Sequence, residues 1–532
     1  MKIIIILIVI FSQILLFSYS YSQTNPRREN QNYMQTKLNE DFNTGTLNRD
    51  IWDPSTRGLF NVSNIDILIW VDSVATVKVN QNTGSLDLSM LSSPNYTTTD
   101  RWGGQTITAN FIAGQVRTYE RYGYGIFECN ATFACLRGSF PAFWIYSDLP
   151  NSVQNEIDFV ELKYNHDLPT LDNHIFYYPI GSPAQGYEFT QTPFYYWLYP
   201  HTFKCIWTPS RIEFWVDDTK LKEVQNTGQF WYPQLASKVH LSQQIVNYEN
   251  YYAPQYGINT PQTSSFHWVK VREFFLAPEI TLSSNIICST GTASMNVDPA
   301  ATNITWQLTP SYLFTVSSGN GSTANIVRAS GANGAGKITY SFQMPSGETF
   351  TAQKDISVGA PLLSYITDPT GGSNPFNFYA VPSPGSSTID NYTWIVSPDA
   401  YIYSWMDHAE ITFPEPNYYY IGVEATNACG CSNRVYKYFM YYGDFLMSPN
   451  PASTEVEITI SAGLAEGSKS ASLSSDDEYT VTVLDIYGTV KIQKKYSGNK
   501  FTIPVSNLKD GNYIVKVNNK KINSSKQLIV KH

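Results

Sequence analysis

The chain has 532 residues, which is too many for one hydrophobic core, so about three to five domains are expected. Charged residues make up only 15% of it and the net charge is −9, which argues against a nucleic-acid partner and weakly against highly sulfated polymers. Aromatic residues also make up 15%, a composition that suits β-cores and the stacking of neutral sugars on exposed rings.

The N-terminal segment has the pattern of a secretory signal peptide. Lys2 supplies the positive start, residues 3–17 form the apolar core, and small residues up to Ser22 precede a cleavage point before Gln23. Residues 1–22 are therefore expected to be removed, and the polar leader, residues 23–36, to be disordered. No other segment approaches the roughly 18 apolar residues that a membrane span needs. The mature chain is thus expected to lack a transmembrane segment and to be secreted or at the cell surface.

The rest of the chain is predicted to be all-β. Short alternating runs are broken by turn residues, and no long stretch has helical periodicity. The longest continuous region, residues 37–278, is also the richest in tryptophan. This region is the candidate for the largest domain.

Three acids interleave with β-forming residues between Asn155 and Leu162. Side chains alternate along a strand, so Glu156 and Asp158 share a face, whereas Glu161 has the wrong parity for it. A β-bulge between Asp158 and Glu161 would restore that parity. The glutamates would then lie about four strand steps apart, with roughly 13 Å between their Cα atoms. If each side chain leans inward by about 4 Å, the two carboxyl groups approach the separation of roughly 5–5.5 Å found in retaining glycosidases.

Such a pair of carboxyl groups has a division of labour. One carboxylate attacks the anomeric carbon, while the other, protonated, donates to the leaving oxygen and later activates water. Close carboxylates repel, which pushes their pKa values apart. Acids occupy 44 of the 532 positions, so this spacing also arises by chance, and the flanking sequence must support the interpretation.

The flanking motifs supply that support. In chain order they are Glu40-Asp41-Phe42-Asn43 with Trp52, Tyr122 to Glu128, Phe140 to Ile145, His201 to Pro209, Ile212 to Asp218 and Phe266 to Val271. With Glu-x-Asp-x-x-Glu among them, residues 37–278 resemble glycoside hydrolase family 16. The resemblance implies a curved β-jelly-roll of two stacked sheets, whose concave face forms an open cleft for a polysaccharide.

The resemblance also implies roles for individual residues. It assigns Glu156 as nucleophile, Asp158 as its assistant and Glu161 as acid/base. These three are the predicted catalytic residues.

Further residues are candidates for substrate binding. Trp144 falls where the family places an aromatic ring near the cleaved sugar, and His174 is expected on the next strand, although both also suit a structural role. Gln244 occupies a strand that often supplies an amide to the sugar. Further candidate sugar platforms are Trp102, Tyr195 and Tyr196.

Three departures from the family pattern affect the substrate and metal predictions rather than the acids. The common Ser-Gly-Arg is Ala113-Gly114-Gln115 here, so an expected arginine is missing, and Arg117 or Arg121 is the candidate substitute. Residues 246–252 replace the Gly-Gly-Asn-Trp loop of many β-1,3-glucanases. His267 stands where an aspartate often helps hold a structural calcium, which argues against calcium but leaves it open, and no other cofactor is expected.

Two shorter segments, residues 279–360 and 361–443, resemble each other. Asn303-Ile304-Thr305-Trp306 in the first corresponds to Asn391-Tyr392-Thr393-Trp394 in the second, and a Ser/Thr-Pro turn follows each. A buried tryptophan on a strand followed by such a turn predicts two immunoglobulin-like β-sandwiches. Six cysteines in 532 residues are too few for a disulfide scaffold, but Cys288 could pair with Cys429 or Cys431 across these modules.

The last section, residues 444–532, is predicted to be a small antiparallel β-sandwich, because alternating strands are joined by Tyr-Gly and Asp-Gly turns. It resembles the C-terminal sorting domain that Bacteroidetes use for type IX secretion. The matching elements are Pro449-Asn450-Pro451-Ala452, Asp485 to Gly488, Leu508 to Val517 and the basic end. The resemblance implies that outer-membrane secretion machinery is a partner and says nothing about substrate.

The function predicted from these features is a secreted, retaining, endo-acting β-glycosidase that works as a monomer. Its substrate is expected to be a β-linked polysaccharide, β-1,3-glucan first and a galactan such as agar or carrageenan next, because laminarinases, agarases, porphyranases and carrageenases share the bulged signature. Two alternatives stay open: a catalytically inactive glycan-binding surface protein and a transglycosylase with the same acids.

Overall fold

The computed structural model describes residues 26–54, 68–99, 104, 106–149, 152–164, 169–180, 184–191, 199–228, 232–245, 260–369, 375–414, 417–441, 445–460, 478–519 and 523–532. The predicted signal peptide lies outside these ranges. The leader, residues 23–36, is ordered where it is described, since Pro26–Glu29 form a 3-10 turn and β1 begins at Met34, so the prediction of disorder is wrong for this part. Within them the fold is all-β, as predicted, with two 3-10 turns at Pro26–Glu29 and Ser311–Leu313 as the helical elements. In this part of the chain no helix is long and apolar enough to cross a bilayer.

The chain forms two compact units. The first comprises the residues up to Glu279 together with 296–302 and 342–350, and the second comprises 280–295, 303–341 and 351–532.

Among its described residues, the first unit contains seventeen strands in two sheets. They are β1 (Met34–Glu40), β2 (Trp52–Asp53), β3 (Leu68–Trp70), β4 (Val77–Asn80), β5 (Ser85–Thr99), β6 (Thr106–Ala113), β7 (Gln115–Thr118), β8 (Gly125–Thr132), β9 (Ser139–Tyr146), β10 (Gln154–Tyr164), β11 (Pro169–Tyr178), β12 (Gln185–Gln191), β13 (His201–Trp207), β14 (Arg211–Val216), β15 (Thr219–Gln225), β16 (Lys238–Ile245) and β17 (Gln262–Phe274). A seven-stranded sheet has the order β12-β11-β10-β9-β16-β7-β2. A ten-stranded sheet has the order β15-β14-β13-β8-β17-β5-β6-β3, with β1 on β17 and β4 on β5.

The two sheets share one hydrophobic core. Alternation along the strands sends one set of side chains inward, among them Ile157 of β10 and Phe143 of β9, both 0% exposed. The rings of Phe127 on β8 and Phe159 on β10 lie 5.2 Å apart and so join the two sheets. The predicted two-sheet sandwich is therefore present. The opposite side of the seven-stranded sheet, called its outer face below, carries the candidate site.

Twenty-three further strands follow. Those of the first middle module are β18 (Glu279–Leu282), β19 (Ile286–Ile287), β20 (Thr290–Asn296), β21 (Thr302–Thr309), β22 (Ser318–Asn320), β23 (Thr323–Val327), β24 (Gly334–Gln343) and β25 (Thr349–Val358). Those of the second are β26 (Leu363–Ile366), β27 (Phe376–Pro382), β28 (Asn391–Val396), β29 (Tyr401–Trp405), β30 (His408–Thr412), β31 (Asn417–Asn427), β32 (Gly430–Cys431) and β33 (Val435–Tyr441). Those of the C-terminal domain are β34 (Phe445–Ser448), β35 (Glu455–Ile460), β36 (Glu478–Asp485), β37 (Val490–Ser497), β38 (Lys500–Pro504), β39 (Gly511–Asn518) and β40 (Asn523–Val530).

Each of these three groups forms two sheets. In the second middle module the sheets are β26-β27-β30-β29 and β28-β31-β32, with β33 also on β31. Trp306 on β21 and Trp394 on β28 are buried, in agreement with the repeated motif. The immunoglobulin-like topology and the domain boundaries stay predictions. Cys288 forms a disulfide with Cys429, one of the two predicted pairings, and Cys431 is a free, exposed thiol.

The C-terminal sandwich is closed by contacts between its first turn and its last strand. The Asn450 side chain accepts a hydrogen bond from the backbone N–H of Ile529 at 2.8 Å and donates to the carbonyl of Gln527 at 2.9 Å. Ala452 forms a parallel bridge with Val530. The Pro449-Asn450-Pro451-Ala452 segment, one of the elements that match the sorting domain, is therefore held by residues near the end of β40.

Candidate active site

A β-bulge brings the three acids of β10 onto one face. Pairing with β11 is regular up to Asp158, shifts by one residue and resumes at Glu161, and pairing with β9 shifts at the same place. The intervening Phe159 and Val160 both point into the core, with 3% and 0% of their surfaces exposed. Because two successive side chains point inward, Glu161 returns to the outer face that carries Glu156 and Asp158. The bulge predicted from the sequence is therefore present.

Asn173 holds this bulge from the neighbouring strand. Its side-chain amide donates to the carbonyl oxygen of Phe159 at 2.5 Å, and the residue is 1% exposed. A bulge leaves backbone groups out of the sheet ladder, and a buried carbonyl without a partner costs about 1–3 kcal/mol. By supplying that partner, Asn173 stabilises the point at which the strand changes face.

Two cations contact Glu161. Nδ1 of His174 lies 2.6 Å from Oε2 of Glu161 and 3.5 Å from Oδ2 of Asp158. Nζ of Lys163 lies 3.2 Å from the same Glu161 oxygen and 2.9 Å from Oδ2 of Asp172. All five side chains are nearly buried, so these charges interact in a medium of low dielectric and little screening.

Glu156 has a different partner. The hydroxyl of Tyr178 donates to its Oε2 at 2.9 Å. Tyr178 lies four residues after His174 on β11, so the alternation of that strand places both on the outer face. The β11 strand therefore contacts both glutamates, one through an imidazole and the other through a phenol.

These surroundings separate the pKa values of the acids. Burial, followed by the charges of Asp158 and Glu161, raises the pKa of Glu156 well above its usual range, although the Tyr178 hydrogen bond acts in the opposite direction. Burial and the Glu161 charge raise the pKa of Asp158 to about 6. Burial also disfavours a charged Glu161, but the hydrogen bond from His174 and the charge of Lys163 outweigh it and lower the Glu161 pKa.

His174 is a cation at neutral pH. Burial acts to lower its pKa, but its hydrogen bonds to Asp158 and Glu161 raise the pKa to about 10. The site thus contains a proton favoured on Glu156, an ionised Glu161 and a protonated imidazole between Glu161 and Asp158.

The aromatic ring of Trp144 lies beside the acids, on the neighbouring strand β9. Trp144 pairs across the sheet with Asp158, and its Nε1 donates to the hydroxyl of Ser242 at 3.1 Å. Its ring stacks on the imidazole of His240 with centroids 4.2 Å apart. Trp144 is partly exposed, so it offers a ring to a ligand on the outer face as well as packing against β16.

The other sequence candidates lie farther along the same face. Gln244 is 5% exposed and pairs with Phe140, two residues before the partner of Glu161 on β9. Arg117 forms ion pairs with Asp53 and Asp148 at 3.2 and 2.8 Å, so its charge is neutralised within the protein.

Arg121, the other candidate for the missing arginine, donates to the backbone carbonyls of Ser147 and Asp148. Trp102, Tyr195 and Tyr196 lie outside the described residues. Alternation along β10 and β11 was the signal that would have identified Lys163 and Tyr178 as outer-face residues, and neither was a sequence candidate.

Two places in the described part of the chain bear on metal binding. Within the described ranges, Asp158, Glu161 and His174 offer ligand atoms within 4.8 Å of one another, but the imidazole and Lys163 already neutralise these acids. At the position where the family allows calcium, Nε2 of His267 lies 3.3 Å from the hydroxyl of Thr132. An imidazole is a poor ligand for calcium, which prefers oxygen, so His267 would not hold that ion here.

Comparison with known proteins identifies two parts of the chain. Residues 68–260 match the family model described as glycosyl hydrolases family 16, and residues 447–531 match the one described as secretion system C-terminal sorting domain. Among curated proteins, no sequence matches this chain.

Three of the solved structures similar to this chain illustrate the range. The catalytic domain of an endo-1,3-beta-glucanase (laminarinase) from Thermotoga petrophila RKU-1 is 17% identical, with a TM-score of 0.37, over 45% of this chain and 98% of that one. A non-specific endo-beta-1,3(4)-glucanase of family 16 is 19% identical, with a TM-score of 0.37, over 46% and 92%. A structure described under endo-acting O-glycanases of the human gut microbiota is 16% identical, with a TM-score of 0.38, over 47% and 94%.

The family match covers β10, the strand that carries the three acids, and the sorting-domain match covers most of the C-terminal sandwich. The chain therefore carries a glycoside hydrolase domain of family 16 and a C-terminal sorting domain that directs it to the cell surface or the extracellular space.

Proposed function

We propose that this protein is a retaining, endo-acting β-glycosidase of a neutral β-linked polysaccharide, β-1,3-glucan first and a galactan next. The observation that carries the proposal is the bulge after Asp158, because it places Glu156 and Glu161 on one face. Two carboxyls on one face are the requirement for double displacement at an anomeric carbon. The cations of this face support a neutral substrate, since Arg117 and Lys163 are both paired with acids.

In the proposed reaction Glu156 attacks the anomeric carbon and Glu161 protonates the leaving oxygen. The bond from Glu156 to the sugar forms as the glycosidic bond breaks, and Glu161 then takes a proton from water as the water displaces Glu156. Asp158 adds negative charge beside the nucleophile. Trp144 stacks on the sugar next to the cleaved bond.

Without substrate, the protonation states of the two glutamates are the reverse of those that these roles require. In that state the proton is favoured on Glu156, and Glu161 is ionised. The reactive form has the same total charge and differs only in which glutamate holds the proton. We propose that substrate binding moves the proton to Glu161 by a relay. The His174 imidazolium, 2.6 Å from Glu161, donates a proton to it and takes one back from Asp158, 3.5 Å away. Asp158 in turn receives the proton of Glu156, its hydrogen-bond partner. This step makes the reversed assignment, with Glu161 as nucleophile, the alternative to be tested.

The test compares reducing ends released from laminarin, lichenan, agarose and carrageenan by the wild type, Glu156→Gln and Glu161→Gln. Both variants are expected to lose turnover while remaining folded. Glu128→Gln, on β8 of the other sheet, is the matched control and is expected to retain activity, since its ion pair with Arg272 is a surface one. Wild-type rates in either variant of the acids would refute the proposal.

Azide rescue assigns the roles. Azide is expected to restore turnover to Glu156→Ala through a product of inverted configuration, because the small anion replaces the missing nucleophile. Rescue of this kind in Glu161→Ala instead would establish the reversed assignment. Sizing the products from a defined oligosaccharide separates hydrolysis from transglycosylation, and binding without any release would indicate a glycan-binding protein.

A further inference from the structure

The second middle module carries an exposed row of tyrosines, called the tyrosine strip below. It consists of Tyr418 on β31 and of Tyr436 and Tyr438 on β33, which are 64%, 46% and 58% exposed. Their inward neighbours in the sheet, such as Tyr419 and Ile421, are buried in the module's core. The strip therefore occupies the side of this sheet that faces away from the core.

The three rings are nearly parallel to one another. The ring planes of Tyr418 and Tyr438 differ by 13°, those of Tyr436 and Tyr438 by 24°, and both pairs have centroids 6.2 Å apart. Parallel rings at that separation are offset rather than face to face, which leaves much of each face uncovered.

A glycine in the backbone beneath the strip leaves space for one of its rings. A Cβ atom on Gly422 would lie 2.9 Å from Cε1 of Tyr436 and 2.8 Å from Cγ1 of Ile395, so the glycine makes room for the Tyr436 ring. Tyr420 sits beside the strip and is tilted by 52° from Tyr438 and 67° from Tyr436. The parallel arrangement is thus limited to three rings on two adjacent strands.

The charges around the strip restrict what it can bind. Glu424 follows Gly422 on the same face of β31 and is paired at 2.6 Å with Arg434, so that pair neutralises itself. The strip itself has ring faces and phenolic hydroxyls and no net charge. A ligand that fits it has flat apolar faces, a rim of hydroxyl groups and no charge.

We propose that the tyrosine strip is a second polysaccharide-binding site, separate from the catalytic sheet, that holds the neutral β-linked polymer on which the enzyme acts. A pyranose ring has axial C–H groups for the tyrosine faces and hydroxyls for the phenolic rim. Successive sugars of one chain would stack on successive rings. The identity of the polymer rests on the proposed function; the binding itself does not.

The test uses the full-length protein and the double variant Tyr418→Ala/Tyr438→Ala. The matched control is Tyr401→Ala/Tyr403→Ala, which removes two rings that are 72% and 69% exposed from β29 on the module's other sheet. Depletion from solution by insoluble β-1,3-glucan, agarose, cellulose and chitin measures binding. Hydrolysis of soluble laminarin measures the catalytic site on its own.

The strip variant is expected to lose at least about tenfold in affinity for one of these solids, as removal of stacking anchors does elsewhere, with unchanged hydrolysis of soluble laminarin. The control is expected to bind as the wild type does. Equal binding by strip variant and wild type on every solid, or loss confined to the control, would overturn the proposal.

Two further results are distinguishable. A wild-type dimer in sedimentation that the strip variant lacks would make the strip an interface between copies of this chain and would also overturn the proposal. Strip-dependent binding by a protein that hydrolyses no polysaccharide would support the binding site and reject the proposed function.

Discussion

Asn173 is the residue through which the bulge can be tested without touching an acid. Replacing it with alanine removes the hydrogen bond that its side chain donates to the Phe159 carbonyl in the buried bulge. A loss of about 1–3 kcal/mol in the free energy of unfolding is expected. For a domain of this size that corresponds to a fall in Tm of roughly 2–12 °C.

The larger effect is expected on activity. The bulge sets the direction of Glu161, and a misplacement of about 1 Å in a reacting group can reduce turnover about 100-fold. Thermal unfolding and kcat/KM on soluble laminarin, measured well below the Tm, separate the two effects.

Asn155→Ala is the matched control for this experiment. Asn155 is also buried on β10, and it hydrogen-bonds Ser237 and the backbone of Leu235, away from the bulge. It is expected to lower the Tm at least as much as Asn173→Ala while retaining turnover. If Asn173→Ala lowers the Tm but keeps wild-type kcat/KM, this side chain does not position Glu161, and the reasoning fails.

Three other predictions follow from the site and the modules. Tyr178→Phe removes a hydrogen bond that lowers the pKa of Glu156, so the acid limb of the variant's pH–rate profile is expected to move to higher pH. An unmoved limb would show that Glu156 ionisation does not govern the rate. The pKa of His174 is raised from 6.5 to about 10, so its charge stabilises the fold fully below about pH 6.5, and this stability is lost as pH rises through about 10. The Tm difference between wild type and His174→Asn should therefore shrink over that range. A constant Tm difference would contradict the prediction. Cys288→Ser removes a disulfide that spans 141 residues and is expected to destabilise the middle modules by about 2–5 kcal/mol in denaturant titrations. Hydrolysis of soluble substrate should be unchanged. Cys431→Ser, which removes a free thiol, should have no such effect.

The bulge was predictable because it is a question of parity within one strand. Glu156 and Glu161 are an odd number of residues apart, and only an extra residue puts both on one side. The two residues between Asp158 and Glu161 are Phe159 and Val160, an apolar pair whose side chains can both turn into the core.

The partners of the acids were harder to predict because they depend on the register between strands. Tyr178 meets Glu156 only through the way β11 pairs with β10, which neither strand's own alternation reveals. Asn173 has the inward parity of a core position, where an amide is unexpected until the unpaired carbonyl of the bulge is known. The preferred location of the proton could not be predicted either, because it depends on the close approach of His174 and Lys163 to Glu161.

The closure of the C-terminal sandwich has a consequence for how the sorting domain responds to truncation. The carbonyl and N–H groups that hold Asn450 belong to Gln527 and Ile529, and Leu528 and Val530 are 0% and 1% exposed in the domain's core. A chain cut before Gln527 loses these contacts and leaves the core of the sandwich open. A transporter that recognises the folded sandwich would therefore pass over chains truncated at this point.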